Sequence, residues 1–129
     1  MLSWNRAAVV SGAPPWATWG VLFLQRETLR GSERVRALQQ MLKQCQRLVR
    51  ELPADPWSHY HLGICYAAFD DLSALENAAR SLEKAAFIAP DHCDTLVALA
   101  RAYQKLGRPA KVDAIRQRML LLEPELPVP

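Results

Sequence analysis

Apolar residues recur at helical spacing most clearly between Cys93 and Pro124, in the stretch CDTLVALARAYQKLGRPAKVDAIRQRMLLLEP. Leu96, Leu99, Ala100 and Tyr103 follow one another at intervals of three, one and three, which lines them along one stripe of a helix. Gly107 stands where a left-handed residue would end that helix, and Pro109 fits the first turn of the next. Val112, Ile115, Met119 and Leu122 share a face of this second helix, and Pro124 stops it. Two such helices bury a common stripe, but the pair keeps an outer apolar face that needs a neighbour. The unit is suited to stacking.

The same plan can be read upstream. Residues 1–13 show no period and hold Ser11-Gly12, so they read as an irregular arm. Pro14-Pro15 opens a helix to about Leu29, along which Trp16, Trp19, Gly20 and Phe23 repeat the three-one-three spacing. Gly31 ends it, and Ser32 with Glu33 predicts a cap and an acidic first turn for a helix reaching Glu51. Val35, Leu38, Leu42, Cys45 and Val49 mark its expected apolar face, and Pro53 closes it. Asp55-Pro56 caps and starts a third helix carrying Tyr60, Leu62-Gly63 and Tyr66, which Asp70-Asp71 ends. A longer turn, about residues 70–74, leads to a fourth helix with Ala78, Leu82, Ala85 and Ile88 and then to Pro90-Asp91. The tail 125–129 is proline-rich and cannot continue a helix. No stretch alternates with a period of two for long enough to predict a strand.

Pro53, Pro90 and Pro124 each close the second helix of a pair and lie 37 and 34 residues apart. That period divides a repeat domain, 14–124, into pairs at about 14–53, 56–90 and 93–124. The expectation is an all-α chain of six antiparallel helices stacked as a short solenoid.

These residues resemble the tetratricopeptide repeat (TPR) family. The last pair matches through Leu96, Leu99-Ala100, Tyr103, Gly107 and Pro124, departing at Val112 and Arg116. The middle pair matches through Leu62-Gly63, Tyr66, Ala78, Leu82, Ala85 and Pro90, with His59 where a bulky apolar residue is usual. The first pair is similar to a degenerate copy, through Trp16, Trp19-Gly20, Phe23 and Pro53. The resemblance implies a right-handed α-solenoid that acts as a protein-interaction module, an adaptor or assembly factor and not an enzyme. Small three-repeat members also resemble chaperones that shield a subunit of a bacterial secretion apparatus, which is one alternative. Members that hold an acidic chaperone tail use lysine and asparagine at set groove positions. Tyr60 and Ile64 occupy two of those positions here, which argues against that activity.

Composition agrees with a folded chain and narrows the chemistry. Half of the 129 residues are apolar and 22% are charged, a globular balance. Cys45, Cys65 and Cys93 are an odd number without a CxxC pair, so a reducing, cytoplasmic setting is expected in place of a disulfide framework. No transmembrane run is evident: the apolar residues 7–24 are broken by Pro14-Pro15. Positive charge gathers in residues 1–53, which carry 8 Lys/Arg against 3 Asp/Glu. Arg30, Arg34, Arg36, Lys43, Arg47 and Arg50 therefore offer a second alternative, a face for nucleic acid or an acidic surface.

Catalytic and metal chemistry find little footing. His61 and Cys65 lie one helical turn apart, but no third or fourth ligand is evident near them. His92-Cys93-Asp94 holds the residue types of a nucleophile and base, yet adjacent residues diverge around a helix start. No catalytic residue, metal ligand or cofactor is assigned.

In a curved stack the first helices of successive pairs line the concave side. The expected groove presents Trp57, Tyr60, Ile64 and Ala67 from the middle pair, and Asp94, Val97, Arg101, Gln104 and Lys105 from the last. Such a surface suits a peptide anchored by apolar side chains and steered by charge, although Trp57 and Tyr60 are equally suited to packing on the preceding pair. No covering helix follows the last pair in the sequence, so Leu120 and Leu121 are expected to meet another chain, a second copy included. Light scattering at high concentration checks that expectation. Leu120→Glu/Leu121→Glu should lower the associated mass, and an unchanged monomer mass would count against self-association.

Overall fold

The computed structural model describes residues 30–122, and every regular element among them is helical. The order is α1 (Gly31–Glu51), α2 (Pro56–Phe69), α3 (Leu72–Ile88), α4 (Cys93–Lys105) and α5 (Pro109–Leu122). Each helix packs against the next in sequence, and α2 also touches α4. The arm 1–13, the helix expected over 14–29 and the tail 125–129 lie outside the described residues.

Helix α1 starts two residues earlier than expected. Gly31, at φ +58, turns the chain into it, and Arg30 takes the N-cap position without a capping hydrogen bond from its own side chain. Ser32, expected as the cap, is already inside the first turn; Glu33 does provide the acidic first turn. The buried face is also rotated. Leu38, Met41, Cys45 and Leu48 are buried, while Val35 is 48% exposed and Val49 half-buried. Two apolar stripes overlap on this helix. Cys65 of α2, packed with Leu38, Met41 and Cys45, selects between them.

The turn from α1 to α2 is fastened by polar side chains from below. Asp55 accepts from the Trp57 N–H at 3.0 Å, and Pro56 fills the first turn, as the sequence predicts. Buried Ser58 shares its hydroxyl proton between the carbonyls of Leu52 (2.8 Å) and Asp55 (2.7 Å). The His59 ring nitrogen Nε2 lies 2.7 Å from the Pro53 carbonyl. Pro53 O can only accept, so the His59 Nε2–H donates and satisfies a backbone carbonyl just past the end of α1.

The α2–α3 connection is shorter than the sequence implied. Only Asp70 and Asp71 separate the helices: Asp70 adopts the left-handed conformation at φ 59, and Asp71 caps α3 by accepting from the Ala74 N–H at 2.8 Å. The residues assigned to a long turn over 70–74 instead lengthen α3, which has 17 residues against 14 in α5. By contrast, α4 ends as expected. Gly107 sits at φ +70, its N–H donates to Gln104 O at 3.1 Å, and the Arg108 N–H donates to Tyr103 O at 3.0 Å. This is the paired-bond closure that a C-terminal glycine permits.

Helices α2 and α3 approach closely at Gly63. A Cβ placed there would lie 2.6 Å from Leu82 Cγ and 3.2 Å from the Ala78 carbonyl oxygen. Leu82 is fully buried within the cluster that joins α3, α4 and α5, so it has little room to withdraw. Alanine at position 63 gains about 1 kcal/mol of helix propensity but forces an overpacked contact costing about 1–3 kcal/mol. Gly63→Ala is therefore expected to lower stability by up to about 2 kcal/mol, read as a lower urea midpoint at unchanged slope.

Candidate functional site

The last helix pair is tied back onto the one before it by three polar links. Lys105 Nζ meets Asp70 at 2.9 Å, Arg108 pairs with Glu76, and the buried Tyr103 ring extends its hydroxyl to donate to Glu83. The two ion pairs are solvent-exposed and contribute about 0–1 kcal/mol each. Their effect is mainly on register, since they fix which residues of α2 and α4 face the same space.

That space is an apolar trough of about 310 Å³. Ile64, Ala67 and Ala68 of α2 form one wall, Ala98 and Ala102 of α4 form the other, and Leu75 and Leu82 of α3 contribute from between them. Arg101, Gln104 and Lys105 stand on the α4 side of its mouth. Five expected groove residues are thus brought together: Ile64, Ala67, Arg101, Gln104 and Lys105. Val97 is not among the lining residues; it is half-buried against the α4 core, and Ala98 takes its place. The helical spacing of Ala98 with Arg101 and Lys105 (three and seven residues) carried that signal.

Trp57 and Tyr60 stand apart from this lining, in a ring cluster with His61 and His92. The Trp57 and His92 centroids are 4.6 Å apart, and Tyr60 meets both Trp57 and His92 edge-on at 5.5 Å. Their ring contacts among the described residues thus run forward to the start of α4. Trp57 remains 43% exposed. Tyr60 is half-buried, and burial first, with Asp94 second, raises its phenol above the ordinary range; Arg101 opposes this. The phenol stays neutral and available as a donor or acceptor.

The other candidate side chains are committed elsewhere. His92 Nδ1 lies 2.6 Å from Thr95 Oγ1, and the Cys93 thiol donates to Asp91 O at 3.8 Å, so neither serves the other. Cys65 donates to the Leu38 carbonyl at 3.7 Å. A hydrogen bond with the Cys65 side chain and burial drive the Cys45 pKa strongly upward, which holds it as an unreactive thiol. Among the described residues no group of three or more His, Cys, Asp or Glu is placed to hold a metal ion. No helix of the described residues is long and apolar enough to cross a membrane. Within the basic set, Arg34 donates to Ala68 O at 3.4 Å and Arg47 pairs with Glu51 at 2.9 Å, while Arg36, Lys43 and Arg50 are exposed. Leu120 is 45% exposed and Leu121 is 85% exposed.

The described residues thus define an all-helical arrangement in which each helix packs on the next, with an apolar trough between α2 and α4. Comparison with known proteins finds no matching family model and no matching curated protein.

Burial gives His61 a measurable signature. Desolvation lowers its pKa from 6.5 to about 4, against an opposing pull from Asp55. A depressed histidine is fully neutral in the fold above pH 6.5, and its stabilisation is lost as pH falls from about 6.5 toward about 4. Between pH 7 and pH 5 wild type should lose about 2 kcal/mol through this group, and His61→Gln should lose correspondingly less. Urea unfolding of both proteins at the two pH values reads the difference.

Proposed function

We propose that the chain is a TPR-like solenoid, and that the α2–α4 trough holds an extended or helical peptide from a partner protein. The protein then acts as an adaptor or assembly factor, without chemistry of its own. The observation that carries this reading is the apolar trough bordered by Ile64, Ala67, Arg101, Gln104 and Lys105, positions taken from the first helices of two successive pairs. Contact between α2 and α4 across the intervening α3 supports the stacked arrangement.

The chemistry of the trough suits one kind of anchor. Its alanines leave room for an aliphatic side chain from the partner, which Ile64, Leu75 and Leu82 would surround. Arg101 is exposed at the mouth and offers its planar guanidinium to a carboxylate on the same partner segment. The exposure of Leu121 supports a second contact surface on α5, directed at another copy or another chain.

Affinity capture from a cell extract, followed by mass spectrometry, tests the trough. Wild type should recover a specific partner that Ile64→Asp/Arg101→Glu recovers at least tenfold less, with unchanged far-ultraviolet dichroism. Equal recovery by both proteins would sink the assignment.

A further inference from the structure

A second concave surface lies away from the trough, around Phe87. At 87% exposure Phe87 is the most exposed large apolar side chain among the described residues. Clefts of about 470 and 540 Å³ border it on either side. The first reaches Pro53 and His59 at the α1–α2 turn. The second has the buried Leu99 and Tyr103 for its floor and Ile115 of α5 in its wall. Leu99 and Tyr103 occupy a different face of α4 from Ala98, Arg101 and Lys105, so the two surfaces are separate.

Charge around this surface is one-sided. Arg80 and Lys84 line the first cleft and precede Phe87 at helical spacing; Lys111 and Arg118, seven residues apart on one face of α5, line the second. The one acidic residue lining the two clefts, Glu83, accepts from the Tyr103 hydroxyl. Lys111 lies over the Tyr103 ring at 5.4 Å. Among the described residues Arg80, Lys84 and Arg118 make no ion pair or side-chain hydrogen bond. An exposed aromatic between two apolar-floored clefts, with four cations against one carboxylate around it, has the composition of a recognition surface.

We propose that this surface docks an acidic peptide segment that straddles Phe87. Apolar side chains of the segment enter the two clefts, and its carboxylates meet Arg80, Lys84, Lys111 and Arg118. A flat anionic bilayer matches the charge but cannot fill clefts on both sides of one ring, and the peptide does both. Cation-to-carboxylate matching also makes the association sensitive to salt.

Selection from a random dodecapeptide library displayed on phage, using wild-type protein as bait, tests this directly. Selected peptides should be enriched in Asp and Glu beside Leu, Ile or Phe. As fluorescein conjugates they should bind Phe87→Ser and Lys84→Glu/Arg118→Glu at least tenfold more weakly than wild type, by fluorescence polarisation. Ile64→Asp, which disables the trough, should leave that affinity unchanged, so the two surfaces fail or hold independently. Phe87 is solvent-exposed, so Phe87→Ser should keep the wild-type dichroism and unfolding midpoint. Peptides without acidic enrichment, or peptides that bind Phe87→Ser as tightly as wild type, overturn the proposal. So does loss of phosphatidylserine-vesicle binding in these variants with peptide binding intact.

Discussion

Close approach of α2 and α3 at Gly63 is the constraint on which the described structure most depends. Glycine has no side chain to hold the helices apart, and Leu82 fills the space against it. Leu82 is at the same time part of the cluster shared by α3, α4 and α5. One contact therefore couples α2 to helices farther along the chain. It also draws α2 in until Leu75 and Leu82 lie beneath the trough. The neighbouring Cys65 faces the other way and joins Leu38, Met41 and Cys45 of α1. Helix α2 thus has packing partners on several faces, which fits its high content of small and apolar residues.

Polar groups then set alignment more than they add stability. The links from Asp70, Glu76 and Glu83 to Lys105, Arg108 and Tyr103 are spread along the helix pair, and each has one residue in α4 or the turn after it. Exposed pairs of this kind contribute little energy singly, but they disfavour a slipped register, because a shift of one turn would break several at once. Ser58 and His59 act on the other side of α2, where they satisfy carbonyls that the end of α1 leaves open. Arg34 similarly donates to Ala68 O near the end of α2.

The two surfaces proposed for recognition differ in the way the fold creates them. The trough arises from absence of bulk, with Ala67, Ala68, Ala98 and Ala102 keeping α2 and α4 from filling the space between them. The Phe87 surface arises from a ring on the wrong side of α3: on a helical wheel it lies opposite the Ala78, Leu82 and Ala85 stripe. That position could have been noticed in the sequence. It carried no weight there, because a single exposed aromatic is ordinary until clefts and cations are found beside it.

Periodicity, prolines and turn residues determined a good deal without any coordinates. Local rules of helix initiation and termination made legible the helical class, the start of α2 at Asp55-Pro56, and the left-handed close at Gly107. The spacing of Ile64, Ala67, Arg101 and Lys105 likewise placed most of the trough. Tertiary structure decided what local rules leave degenerate. Helix α1 has two overlapping apolar stripes that share Leu38 and Cys45, and packing against Cys65 and its neighbours on α2 buries Met41 with them while Val35 stays exposed and Val49 half-buried. Asp70 and Asp71 can each end or cap a helix, and the chain uses one for each task, so residues that resembled a long turn became the first turn of α3. Ala98 replaced Val97 in the trough for the same kind of reason. Which of two adjacent residues faces a neighbour depends on where that neighbour packs, and no period along one helix contains that information.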